Sequence, residues 1–219
     1  IVWLAFNEDD SVQLTKRKVL EGHVLQRLMP EDALHIRGRH NSMNALAALA
    51  LIYAAGLPIS DALRALAQYR GEPHRVEYVM TVNGVDYIDD SKGTNVGATV
   101  AALEGLGANG TKLVVILGGD GKGQDFSPIA DSMGKHARAA VLIGRDAPLI
   151  EKALQGAEYP IIHAKDMPQA VQKASELAQP HDCVLLSPAC ASWDMFKDYA
   201  QRSAIFIASA KALAGDTQQ

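Results

Sequence analysis

From Val76 onward the chain repeats one rhythm: a short aliphatic run, a loop of small and polar residues, then a stretch of helix length. Runs at 112–117, 139–143, 160–163 and 183–186 read as strands, with helical stretches near 96–106, 128–136, 147–154, 167–178 and 195–213 between or after them. Strands separated by helices cannot pair through tight turns, so they demand a mainly parallel sheet covered on both faces. The expected fold class is therefore α/β, a doubly wound, Rossmann-like domain. Two further runs, 76–80 and 85–88, flank Asn83-Gly84, a dipeptide suited to a two-residue hairpin turn.

Upstream the pattern differs. Val12-Gln13-Leu14, Val24-Leu25 and Leu34-His35-Ile36 are short apolar pieces among charges, as in edge strands or hairpins. Residues 41–55 are rich in Ala and Leu, opened by Asn41 and Asn44 and closed by Gly56-Leu57-Pro58, which predicts a helix; a second, near 60–67, starts on a Ser-Asp cap. Arg70-Gly71-Glu72-Pro73 reads as a linker, giving expected domains at 1–70 and 71–219. The opening run from Ile1 to Phe6 has no initiator Met and no turn before it, so the chain is expected to be a piece of a longer polypeptide.

With 219 residues, 48% of them apolar, the chain can bury a good core. Its formal charge of -4 is spread along the sequence, which argues against a nucleic-acid surface and favours small-molecule partners. Two cysteines make no disulfide framework and no Cys/His cluster supplies four metal ligands. No apolar run is long enough to span a bilayer. These features fit a soluble, cytoplasmic protein.

In such sheets ligands collect beyond the carboxyl ends of the strands. Three loops there carry chemistry: Asp89-Asp90-Ser91-Lys92-Gly93-Thr94-Asn95, Gly118-Gly119-Asp120-Gly121-Lys122-Gly123, and Ser187-Pro188-Ala189-Cys190-Ala191-Ser192. The first places a carboxylate, a hydroxyl and an ammonium at a helix start, suited to sugar hydroxyls or anions; helix capping by Ser91, Thr94 or Asn95 explains it equally. The second is not a Walker loop, because Ile116 and Gly123 stand where that pattern needs Gly and Ser or Thr. It reads as a flexible turn that lets backbone approach a ligand and aims Lys122 at a carboxylate, or as a solvated lysine on a tight turn. The third offers hydroxyls and room for a compact ligand but no basic partner for a nucleophile. Asn41 and Asn44 share a helix face and could pair with an adenine edge, or cap the helix. Arg75 stands at the boundary between the domains, where clefts form.

Together, and in this order, Gly38-Arg39-His40-Asn41-Ser42-Met43-Asn44-Ala45, Pro73-His74-Arg75 and the three loops resemble the Mur ligase family. The continuation Trp193-Asp194-Met195-Phe196-Lys197 resembles its D-glutamate-adding branch, and the Asp-Asn-Pro-Arg motif of the diaminopimelate-adding branch is absent. The resemblance implies an ADP-forming ligase that joins D-glutamate to UDP-N-acetylmuramoyl-L-alanine in peptidoglycan synthesis, with ATP and Mg2+ as cofactors; these small-molecule substrates are the expected partners, with no nucleic acid or membrane, and a monomer is expected. It implies that the first segment is the tail of a central ATP-binding domain. Asn41, Asn44, Arg75, Asp90 and Lys92 would contact ATP. Thr94, Lys122, Ser192, Trp193 and Tyr199 would line the D-glutamate pocket. Catalytic residues and metal ligands would lie upstream of Ile1, so this chain alone is not expected to turn over. Trp193 and Tyr199 stand where an aliphatic residue and Phe are common, and Arg202-Ser203 where Arg-Gly is usual. The alternatives are another Mur-family or folylpolyglutamate-type ligase, or a nucleotide-binding oxidoreductase domain.

Overall fold

The computed structural model describes residues 2–6, 12–15, 26–36 and 38–216. Its contacts divide the chain into two compact units, Ile1–Gly71 and Glu72–Gln219.

In the first unit, β1 (Trp3–Phe6) lies between β2 (Val12–Thr15) and β3 (Gln26–Pro30), antiparallel to both. The apolar piece Leu34-His35-Ile36 is not a strand. Pro30 ends β3, a 3-10 turn occupies Glu31–Ala33, and Leu34 then drops its side chain into the core. Val24 and Leu25 lie outside the described residues. Helix α1 (Arg39–Ala54) begins two residues before Asn41: Gly38, at φ 94°, is its cap, so both asparagines sit inside the helix. Helix α2 (Ile59–Gln68) starts behind Pro58 with no side-chain cap, contrary to the Ser-Asp expectation. Leu4, Phe6, Met29, Leu34, Leu46 and Leu49 form this unit's core, with the α2 residues Ile59, Leu63 and Leu66 packed against it.

The second unit is a six-stranded sheet. Strands β4 (Glu77–Val82) and β5 (Val85–Asp89) form the hairpin that Asn83-Gly84 predicts, with φ of 52° and 77° at its two turn residues. The others are β6 (Leu113–Gly118), β7 (Ala137–Ile143), β8 (Ile161–His163) and β9 (Cys183–Leu186), and the spatial order is β4-β5-β9-β6-β7-β8. Every pairing except β4·β5 is parallel. Alternation sends Leu113, Val115 and Leu117 to a face covered by α3 (Val96–Gly107), α4 (Ser127–His136) and α5 (Ala147–Ala153). Val114 and Ile116 go to the opposite face, covered by α6 (Met167–Leu177) and α7 (Tyr199–Asp216). Burial on both sides is why β6 and β9 are unbroken apolar runs.

Helix α7 starts four residues later than the apolar pattern suggests. Asp198 is the reason: its carboxylate accepts the Gln201 N–H (2.7 Å), while the Gln201 carboxamide accepts the Lys197 N–H (2.6 Å), a reciprocal cap that fixes the start at Tyr199. Residues 192–198 are left as a turn that ends beside the β5 loop.

Candidate functional site

Because β9 is inserted between β5 and β6, the chain leaves β5 in one direction and returns to the middle of the sheet last. In sheets of this kind ligands collect where the strand order reverses, which here is beyond the carboxyl ends of three adjacent strands. The three sequence-selected loops follow those three strands, and they are bound to one another. The Asp120 N–H donates to the Ala191 carbonyl (2.9 Å) and the Ala191 N–H to the Asp120 carbonyl (2.8 Å). The Ala189 N–H donates to the Gly93 carbonyl (3.1 Å), and the Gln124 carboxamide bonds the carbonyls of Gly121 and Ala189 while accepting from Val96 N.

The glycines of the β6 loop serve this packing. A Cβ on Gly118 would stand 1.8 Å from the Ile143 carbonyl oxygen, and one on Gly119 would stand 2.3 Å from that of Ala191. These two glycines thus admit the backbone of β7 and of the β9 loop, and both lie at positive φ. Lys122, at φ 52°, is held by its N–H bonding the Asp120 carboxylate (2.9 Å). Arg145, after β7, also reaches Asp120, and its N–H binds Asp194 (2.8 Å). Cys190 is fully buried, and burial pushes its thiol up to about 12.

Beneath the β5 loop lies a knot of buried charge. Arg202 of α7 is fully buried and donates to the Ser91 hydroxyl (3.0 Å), the Ser91 carbonyl (2.7 Å) and the Cys190 carbonyl (3.0 Å), so one guanidinium ties the β5 loop to the β9 loop. Burial lowers its pKa to about 10, which leaves it a cation at neutral pH. Asp89 accepts from the Ser203 hydroxyl (2.5 Å) and the Ser91 N–H (2.9 Å), and lies 2.9 Å from His74 Nδ1. Asp90, 6% exposed, accepts from the Ser187 hydroxyl (2.7 Å) and the Val76 N–H (3.3 Å). Val76 is a β-branched residue at φ 48°, a costly conformation that this bond helps to hold. Burial first, and the nearby Asp89 charge, push the Asp90 carboxyl up to about 6 against those two bonds and the Arg75 charge. Its neighbour Gly93 is obligatory, since a Cβ there would stand 2.5 Å from Asp90 Oδ2.

Above the knot several polar groups have no charged or hydrogen-bonding partner of their own among the described residues. Among the described residues, Arg75, Lys92 and Lys122 have no carboxylate within 4.0 Å, whereas Arg145 and Arg202 on the same edge are committed to the protein. The Lys92 ammonium sits 5.8 Å from the Tyr199 ring centroid, and the Lys122 ammonium 5.0 Å from that of Trp193. Of the alternatives left for the helix start, Asn95 is the cap, accepting from Ala98 N (2.9 Å), and Ser91 bonds the Tyr199 carbonyl (2.8 Å). The hydroxyls of Thr94 and Ser192 carry no hydrogen bond to the described residues. Asn41 and Asn44 belong to the first unit, where the Asn44 amide donates to Asn41 Oδ1 (3.4 Å).

The family model described as Mur ligase, glutamate ligase domain, matches residues 74–190, more than half of the chain. This chain belongs to the Mur ligase family. It is 56% identical over 98% of its length to the UDP-N-acetylmuramoylalanine–D-glutamate ligase of Polaromonas sp. strain JS666, covering 36% of that protein. To the ligase of the same name from Albidiferax ferrireducens it is 54% identical over 98% of its length, covering 42%. The chain thus spans about two fifths of these curated relatives. Solved structures share the fold at low identity: UDP-N-acetylmuramate-alanine ligase from Thermotoga maritima (19% identical, TM-score 0.60, 92% of this chain and 42% of that one) and folylpolyglutamate synthase from Mycobacterium tuberculosis complexed with ADP (20%, 0.60, 91% and 47%).

Within this Mur ligase unit, the groups that sequence reasoning missed are the buried Arg202 and Ser203 below the loops, the His74–Asp89 contact, and the exposed Arg145. A signal for Arg202 existed, because an arginine amid the Ala, Ile and Phe of α7 is an unusual choice for a buried helix face. His74, Glu77 and Asp89 bring three potential metal-ligand atoms within 4.8 Å of one another, the one such group among the described residues. One imidazole and two carboxylates already bonded to Ser203, Ser91 and the His74 N–H do not make the oxygen cage that Mg2+ requires.

Proposed function

We propose that this chain is the amino-acid-holding part of an ATP-dependent amide ligase that adds D-glutamate to UDP-N-acetylmuramoyl-L-alanine. One observation supports the reading above the others: among the described residues, Arg75, Lys92 and Lys122 have no carboxylate within 4.0 Å and stand with the unbonded hydroxyls of Thr94 and Ser192 on the edge where Arg145, Arg202, Asp89 and Asp90 are bonded to the protein. Three cations without a carboxylate partner at the carboxyl ends of the strands suit a ligand that is anionic at several points. The 54–57% identical relatives, named as D-glutamate ligases, select among such ligands.

In this reading Lys122 and the Ser192 hydroxyl hold the carboxylates of D-glutamate, with Thr94 at the other wall and Trp193 and Tyr199 closing the sides. Arg75 and Lys92 take nucleotide phosphates, and Asn41 and Asn44 take the adenine edge. Asp90 has both oxygens engaged, so a ribose hydroxyl would donate to a remaining lone pair. ATP converts the substrate carboxylate to an acyl phosphate, the D-glutamate amine attacks it, and phosphate departs. The residues of this chain contribute placement of the amine and neutralisation of charge. Mg2+ belongs to this proposal as a cofactor held by other parts of the ligase, and the enzyme acts in the cytoplasm as a monomer.

Two measurements test the reading. Titration of this chain with D-glutamate, L-glutamate and meso-diaminopimelate should shift the backbone amides of Thr94, Lys122 and Ser192 with D-glutamate alone. In the full-length ligase, Lys122→Ala should raise the KM for D-glutamate by tenfold or more, on the order of one lost charge-assisted hydrogen bond. An unchanged KM removes Lys122 from the site.

A further inference from the structure

Trp193 is 69% exposed, the most exposed aromatic ring among the described residues, and it stands in the turn between β9 and α7 rather than in either core. Its one described partner is the Lys122 ammonium, 5.0 Å from the ring centroid. The geometry is not that of two loose side chains meeting. The Lys122 backbone is pinned at φ 52° by its N–H bond to Asp120, and Asp120 pairs in both directions with Ala191, two residues before Trp193. Root of lysine and root of tryptophan are therefore parts of one rigid joint, and the ring limits where the flexible four-carbon stem can carry its charge.

The neighbouring cation explains what a ring offers that a carboxylate does not. Arg145 is paired with Asp120 and Asp146, which neutralise it and remove it from service to a ligand. An aromatic face orients a cation through its quadrupole and leaves the full positive charge available. Lys92 is placed in the same way over Tyr199, at a longer 5.8 Å.

We propose that Trp193 is a positioning residue: its ring seats the Lys122 ammonium, and so sets the affinity for the amino-acid carboxylate without touching the reacting atoms. This rests on the reading of Lys122 as a carboxylate ligand. On this chain, the Lys122 Cε protons carry an upfield ring-current shift that Trp193→Leu abolishes. In the full-length ligase, Trp193→Leu raises the KM for D-glutamate about two- to fivefold, the size of one exposed cation–π contact, while kcat moves less. Trp193→Phe falls between leucine and tryptophan. Site-specific fluorotryptophans at 193, which weaken the quadrupole with little change of shape, raise KM in step with the number of fluorines.

A flat fluorination series, or leucine and phenylalanine variants that behave alike, would show that the ring acts only as bulk and overturns the inference, as would the absence of the ring-current shift. Lys122→Ala separates the two levels. If it raises KM while the fluorination series stays flat, the site stands and the seat falls; if it leaves KM unchanged, the site reading falls and takes the seat with it.

Discussion

The two ends of the Mur ligase unit's sheet use charge in opposite ways. At the amino end, Arg138 at the start of β7 grips Asp182 before β9 through two guanidinium nitrogens, and Asp182 also accepts the Gln179 N–H (2.8 Å). Glu104 there collects Ser132, Lys135 and His136. At the carboxyl end the charge is layered: Asp89, Asp90 and Arg202 are buried and bonded below, and Arg75, Lys92 and Lys122 are left open above. The buried layer is therefore best understood as the support that holds the open layer in place.

That division is most exposed to test at Arg202. Arg202→Met keeps much of the side-chain length but leaves the Ser91 and Cys190 carbonyls and the Ser91 hydroxyl without a donor, next to the buried Asp89 carboxylate. A loss of about 3–5 kcal/mol is expected, read from the urea midpoint of the chain, with the largest amide shifts in the β5 and β9 loops. A cost below about 1 kcal/mol would mean that the buried layer supports nothing.

Asp90 gives a smaller effect with a definite sign. Its carboxyl is held at about 6 in the fold against an ordinary 3.8, so between those pH values the folded chain keeps a proton that the unfolded chain has released. Stability from this group is present below about pH 4 and is lost as pH rises through about 6, by about 2–3 kcal/mol. Asp90→Asn cannot titrate. Relative to the parent chain, it should therefore gain stability across that window, and a parallel pair of stability-against-pH curves would remove the buried carboxylate from the account.

What was legible in the sequence follows the same layering. The sheet was legible because strands buried on both faces must be continuous apolar runs, and because Asn83-Gly84 accepts positive φ. The loops were legible as polar segments after strands, but the same residue types also cap helices, and only the structure separates the cap, Asn95, from the unbonded Thr94. The knot was not, since its partners are far apart in sequence: Arg202 meets Ser91 and Cys190, and Ser203 meets Asp89, only once α7 has packed. The start of α7 was misplaced for a local reason, the Asp198–Gln201 cap, which outweighs the apolar content of Met195 and Phe196. In the first segment, strand β3 was missed because Gln26 and Arg27 break the apolar pattern that marks strands.

The smallest expected effect is the control that decides whether the comparison is real. Arg138 retains 29% side-chain exposure and Asp182 6%, so Arg138→Ala strands a mostly buried carboxylate that still keeps the Gln179 N–H. The expected cost is about 1–2 kcal/mol. The pair lies seven residues along β7 from Arg145, on the order of 20 Å at strand rise, and the β6, β7 and β9 ladders between them do not depend on it. The amides of Thr94, Lys122 and Ser192 should therefore keep their positions while the urea midpoint falls, and under the proposed function the D-glutamate KM of the full-length protein should not change. If those amides shift as they do in Arg202→Met, the sheet transmits strain from end to end. The open cations would then owe their placement to the whole domain rather than to the buried layer directly beneath them.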